Sequence, residues 1–195
     1  MTNALHATAL GVYTLLVLKG VYSGNKDYTV LICLTFLSVF ILKVLGIIVH
    51  LPLVDKVRTR HNCFWILISV FVVFLNGLTL AAIGAGPLWI AVGVVWTAIL
   101  SSMYVKSLYS DSWGSFLYIA LAMIGIYVLC ALLSEKELRI AWCLAVASNV
   151  LWILLEKVTF LNKHKLHNDI YHLALICSSY YLYTTIEMGL WGKGR

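Results

Sequence analysis

Apolar residues occupy this chain in seven long runs, each close to the length of a membrane crossing, with short polar or Gly/Pro-bearing connectors between them. The runs are Leu5–Tyr22, Val30–His50, Cys63–Ile83, Leu88–Val105, Ser115–Leu133, Ile140–Leu155 and Ile170–Met188. A helix needs roughly 20 predominantly apolar residues to cross the hydrocarbon core, and inside lipid the backbone amides must be satisfied within the segment itself. The runs show no alternation of polar and apolar positions, which excludes spanning β-strands. The connectors Ser23–Asp27, Asp55–Asn62, Gly84–Pro87, Lys106–Gly114, Glu135–Arg139 and Glu156–Asn168 leave no room for a soluble domain. The pattern predicts a single all-α domain over residues 1–195, a polytopic membrane protein built as a bundle of seven transmembrane helices. No internal repeat is visible, so an inverted-repeat transporter draws no support.

Composition strengthens this reading. Hydrophobic residues make up 62% of the chain and charged residues 11%, with a mean hydropathy of +0.95; soluble domains carry about 25% charged residues. The net charge of +6 raises the question of a nucleic-acid partner, but no basic stripe is interleaved with aromatic residues in a soluble segment. Basic residues stand at both rims of the bundle, where anionic lipid head groups attract them. Their near-even division gives the positive-inside rule no orientation to choose. The five cysteines lie in or beside the apolar runs without a Cys-x-x-Cys pair and read as packing residues. No Lys or Arg precedes the first run, which points to a retained first helix and not a cleaved signal.

The stretch Lys165-Leu-His-Asn-Asp-Ile-Tyr-His172, at the mouth of the seventh run, carries the most chemistry. Asp169 and His172 are three apart and Asn168 and His172 four apart, so on a helix they project from one face. Ionisable side chains inside a span cost about 2.5–3.5 kcal/mol each on insertion scales and persist where they face a protein interior. In a seven-span chain the start of the first run, the end of the second and the start of the seventh share one membrane face. His6, His50 and the pair Asp169 and His172 stand at those places. Zinc takes His nitrogen and Asp oxygen, and a catalytic site commonly uses three protein ligands with an open position for water. Such a water is deprotonated near neutral pH and attacks esters or amides.

Each residue also has a plainer role. His6 suits a membrane interface, His50 suits the last carbonyls of a helix, and Asn168 and Asp169 suit a helix N-terminus. His61, His164 and His167 lie in connectors beside charged residues and are expected to be solvated. Lys43 shares a helical stripe with Gly46 and His50 and starts roughly 10 Å below the His50 end. It either snorkels to the rim or is a cation inside the bundle that binds an anionic head group or pairs with Asp169. Asn76 and Asn149 could line the same interior or make interhelical hydrogen bonds.

Gly46-Ile-Ile-Val-His50 late in the second run and Asn168-Asp-Ile-Tyr-His172 opening the seventh resemble the CREST superfamily of seven-helix membrane proteins. That superfamily groups alkaline ceramidases, progestin and adiponectin receptors and Per1-like proteins. The C-terminal motif is most similar to a poorly characterised bacterial branch, which implies a bacterial inner membrane. The resemblance implies a zinc-dependent hydrolase of a lipid amide or ester, with His50 and His172 as ligands. This chain departs from the family pattern: Gly46 stands where the family has Ser, Asn168 where it has the first span-seven His, and no acid opens span three. Asp169, His6 or His167 would have to replace the missing ligand, and Lys43 would assist the metal in holding the developing oxyanion. Two functions therefore follow as expectations: a metal-dependent lipid hydrolase with His50, His172, Asp169 and His6 around zinc, or a non-enzymatic seven-helix receptor or lipid-binding protein. A membrane lipid is the partner in both.

Overall fold

The computed structural model describes residues 2–23, 29–55, 57–110, 115–164 and 166–188. Lys56 and Lys165, and the basic C-terminal pair Lys193 and Arg195, lie outside them. Among the described residues the regular structure is all helix: α1 (Thr2–Tyr22), α2 (Val30–Val49), α3 (Pro52–Asp55), α4 (Arg58–Ala82), α5 (Pro87–Ser107), α6 (Ser115–Leu133), α7 (Lys136–Glu156), α8 (Thr159–Lys163) and α9 (Leu166–Glu187). Seven of these correspond to the apolar runs. Six, α1, α2, α4, α5, α6 and α7, are long and apolar enough to cross a membrane. The chain is therefore an all-α, multi-pass membrane protein. The seventh, α9, has 22 residues, about 33 Å of helix, but its polar residues set it apart in composition. The two short helices, α3 and α8, were not expected; both sit in connectors at the end of the bundle where α1 begins.

Local chemistry fixes the helix ends. Thr29 caps α2 by accepting a hydrogen bond from the Ile32 amide at 3.2 Å. The turn from α4 to α5 is closed by Gly84, whose φ of 72° suits glycine. The Gly84 amide donates to the Ala81 carbonyl and the Ala85 amide to the Leu80 carbonyl, each at 2.9 Å, the paired bonds of a Schellman C-cap. Pro87 then opens α5, where its missing N–H costs nothing. Between α6 and α7, the Arg139 guanidinium donates to the carbonyls of Ala131 and Ser134, neutralising the C-terminal end of α6.

The long helices pack in a closed ring. In chain order α1 packs on α2, α2 on α4, α4 on α5, α5 on α6, α6 on α7 and α7 on α9, and α9 returns to α1. The packing also brings α4 against α6 across the ring. Apolar attraction between helices is weak in lipid, so close fit and interhelical hydrogen bonds must hold the ring together. Asn76 on α4 donates to Thr97 on α5 at 3.1 Å, and Ser101 on α5 donates to the Ser69 carbonyl on α4 at 3.3 Å. Gly93 lets α5 approach closely: a methyl group there would stand 2.3 Å from Leu80 Cδ1 and 2.9 Å from Ile126 Cδ1. Leu80 and Ile126 are both fully buried, so neither has room to yield.

Gly93→Val is therefore expected to lower stability by about 1–3 kcal/mol, the usual range for overpacking a filled core. Gly46→Ala, where nothing lies within 4 Å of the added carbon, should leave stability nearly unchanged. Thermal or denaturant melting of the two variants in the same detergent checks the contrast.

Candidate functional site

The polar residues of α9 turn inward at the end of the bundle where α1 starts and α2 finishes. Helix α9 begins at Leu166, earlier than the apolar run suggests, which places Asn168 and Asp169 inside its first turn instead of at its cap. Their side chains are thereby free to bond to neighbouring helices. Trp152 of α7 donates its indole N–H to Asn168 Oδ1 at 2.9 Å, and Tyr171 donates its hydroxyl to Asn149 Oδ1 at 3.2 Å. Thr2 of α1 donates its hydroxyl to Asp169. His172 is 6% exposed, and its Nδ1 lies 2.9 Å from the Lys43 Nζ of α2.

Lys43 therefore neither snorkels alone nor pairs with Asp169; it reaches across the bundle to an imidazole. A hydrogen bond between these two nitrogens needs a lone pair on one of them. Either the ammonium donates to a neutral ring, or a ring N–H donates to a neutral amine. Asp169 is occupied by Thr2, and among the described residues no carboxylate pairs with Lys43. The Tyr171 ring lies 5.9 Å from Nζ, near enough for a cation–π contribution.

His6 of α1 faces His172, with ring centroids 5.8 Å apart. It is 3% exposed, and neither ring nitrogen has a hydrogen-bond partner among the described residues. A buried imidazole in that condition costs roughly 1–3 kcal/mol per unsatisfied group, so it marks a place where a polar molecule would be stabilised. His50 follows the last residue of α2 as its C-cap. It is exposed, its ring sits edge-on to Trp65 at 6.2 Å, and it is close enough to His172 for the two to interact electrostatically. Of the five residues singled out from the sequence, the structure thus brings His6, Lys43, Asp169 and His172 into one cluster, buried at the two histidines and partly buried at Lys43 and Asp169, and leaves His50 at its rim.

The same residues answer how well a zinc ion would be accommodated. Among the described residues no group of three or more His, Cys, Asp or Glu side chains stands close enough together to hold one metal ion. His172 Nδ1 faces Lys43, Asp169 is held by Thr2, and His50 is set off against Trp65. As arranged, the cluster does not present the three-ligand set that a catalytic zinc uses. Gly46 has open space where a side chain would project.

Two expectations about the remaining histidines change. His167, expected in solvent, is buried, and its Nδ1 lies 3.3 Å from the Leu161 carbonyl in α8. His61 accepts a hydrogen bond from the Trp65 indole at 3.0 Å, while His164 is exposed against Phe160. The residues that sequence reasoning passed over are Thr2, Trp152 and Tyr171. Trp152 is three residues from Asn149 and so shares its face of α7, a signal that links the two. Thr2 precedes the first apolar run and carries no such signal.

A cavity of about 90 Å³ lies inside the bundle, with His6 of this cluster on its wall. His6 and Leu10 line its outer end, and it passes Thr35, Met123 and Ser178 to reach Thr79 and Leu182. Six of the long helices contribute to the wall, and α5 does not. Along α9 the lining runs from Leu175 to Leu182, roughly 10 Å of helix. Three of its hydroxyls are committed to backbone carbonyls, Thr35 to Leu31, Thr79 to Leu75 and Ser178 to Ala141; Tyr127 and Ser179 also line it. The space is thus mainly apolar, with the His6 imidazole on its wall at the side of the polar cluster.

Protein-family models, curated proteins and solved structures offer no match to this chain. Its chemistry must be argued from its own residues.

The bond between Tyr171 and Asn149 should behave as a membrane-interior hydrogen bond. Tyr171→Phe and Asn149→Leu are expected to show a coupling energy of about 0.6 kcal/mol, and no more than about 1.7. A double-mutant cycle on unfolding in bicelles measures it.

Proposed function

We propose that this chain is a seven-span membrane protein that binds a single-chain amphiphile, with the apolar chain in the bundle interior and the polar end at Lys43, His172 and His6. The observation that carries the reading is His6: a buried imidazole without a hydrogen-bond partner among the described residues, on the wall of a mainly apolar cavity. Ligand sites are mostly apolar concavities with a few convergent polar groups, and this one has His6 on its wall beside Lys43 and His172. Lys43 and the histidines favour a ligand whose end group carries an acceptor oxygen. The seventh crossing is α9, whose length suffices and whose polar side chains bond to α1, α2 and α7 instead of lipid. The resemblance of the Asn168–His172 motif to a bacterial branch of the CREST superfamily supports a seat in a bacterial inner membrane.

A second reading, the metal-dependent hydrolase of a lipid amide or ester, draws on the gathering of His6, Asp169 and His172 with His50 at the rim. It requires a transition metal near unit stoichiometry in the purified protein, lost in His172→Ala. A metal-free protein that still binds the amphiphile rejects it.

Binding is measured with a dansyl-labelled fatty acid in nanodiscs, read by energy transfer from tryptophan; Trp142 lines the cavity. Lys43→Met is expected to weaken binding roughly 10- to 100-fold, the equivalent of about 1.5–3 kcal/mol for a hydrogen bond to a charged group. Leu175→Trp, which fills the cavity and leaves the polar cluster intact, is expected to weaken it by roughly tenfold or more. Unchanged affinity in both variants contradicts the proposal.

A further inference from the structure

Lysines inside membrane bundles ordinarily pair with a carboxylate or reach a rim. Lys43 does neither. Its Nζ is 2.9 Å from His172 Nδ1, and the carboxylate of the cluster, Asp169, accepts from Thr2 instead. The group beside the amine is therefore a base able to take its proton. Beside the pair stand the Tyr171 ring, 5.9 Å from Nζ, and the imidazole of His6, which lines the cavity. A desolvated lysine next to a proton acceptor is the arrangement that makes lysine a nucleophile toward carbonyl carbon. An ammonium kept only for electrostatic attraction would gain more from a position open to head groups than from an imidazole.

We propose that Lys43 forms an imine with a long-chain aldehyde held in the cavity, with His172 as the proton acceptor and His6 as a donor to the carbonyl oxygen. This inference rests on the amphiphile reading and names the class of end group. His172 Nδ1 takes a proton from the Lys43 ammonium, and the freed lone pair attacks the aldehyde carbon. The N–C bond forms as the C–O π bond breaks, and the oxygen takes the proton back from His172, giving a carbinolamine. The oxygen then leaves as water, with a proton that the nitrogen gives up through His172, as C=N forms. The products are one iminium and one water, and no oxidant or reductant is consumed. His172 thus carries protons between nitrogen and oxygen, and His6, whose ring lies 5.8 Å from that of His172, donates a hydrogen bond to the oxygen.

The experiment treats the full chain in nanodiscs with dodecanal and cyanoborohydride, which reduces an imine to a stable secondary amine, and locates the adduct by peptide mass spectrometry. Displacement of the dansyl fatty acid by dodecanal and by dodecanol is measured in parallel. The expected result is one dodecyl group per chain, on Lys43, formed at least tenfold faster than on any other lysine. His172→Leu at saturating dodecanal should slow it at least tenfold, with the thermal melt of the variant reporting that it is folded. Dodecanal that displaces the probe but labels lysines indiscriminately overturns the nucleophile assignment and leaves the amphiphile reading standing. Failure of both dodecanal and dodecanol to displace the probe overturns both. Labelling of Lys43 at an undiminished rate in His172→Leu removes His172 from the proton transfer and with it this proposal.

Discussion

Lipid cannot solvate an imidazole or a carboxylate, and α9 carries two histidines, an aspartate and an asparagine within its first two turns. Each of those groups must find a partner inside the protein or raise the energy of the folded state by a few kcal/mol. That requirement orients α9, and α9 in turn closes the ring, because among the described residues it alone joins α7 to α1. Asn168 and Tyr171 tie it to α7, Asp169 to α1 and His172 to α2. The individual bonds are modest, since interhelical hydrogen bonds in membranes average about 0.6 kcal/mol. Their direction matters more than their sum: three helices are fixed around one end of the bundle by groups that have nowhere else to go. His6 is left out of that pattern of satisfaction, which is why the functional argument centres on it.

The helices were legible because a membrane-spanning segment writes its length in apolar residues. Their ends were less so, since polarity marks the membrane boundary and not the end of hydrogen bonding. Helix α4 begins at Arg58, ahead of Cys63, and α9 begins at Leu166, ahead of Ile170; both extra turns are made of interfacial residues that helices tolerate well. The short helices α3 and α8, of four and five residues, are below the length at which periodicity can be read.

At the site, topology alone brought His6, Asp169 and His172 to one face of the membrane, because alternate crossings return the chain to the same side. Lateral neighbours could not be read this way. Lys43 was placed on the correct stripe of α2, yet its partner is His172 and not Asp169, because Thr2, outside the first apolar run, takes the carboxylate. His50 lies one residue beyond the end of α2, where the chain turns into α3, and that turn directs its ring toward Trp65. The cavity was invisible to sequence reasoning, as it arises from residue sizes on six helices meeting at once.

The inward face of α9 is the claim on which the bundle, the cluster and the cavity all depend, and chemical cross-linking tests it most directly. In a chain with the native cysteines replaced, His6→Cys is combined with His172→Cys or, as a control, with Leu173→Cys, whose native side chain is exposed. A short bis-methanethiosulfonate reagent is applied in native membranes. An inward-facing α9 cross-links positions 6 and 172, whose native rings lie 5.8 Å apart, and leaves 6 and 173 unlinked. Cross-linking through position 173 with none through 172 would mean that α9 presents its histidine away from the bundle, and the cluster would not exist.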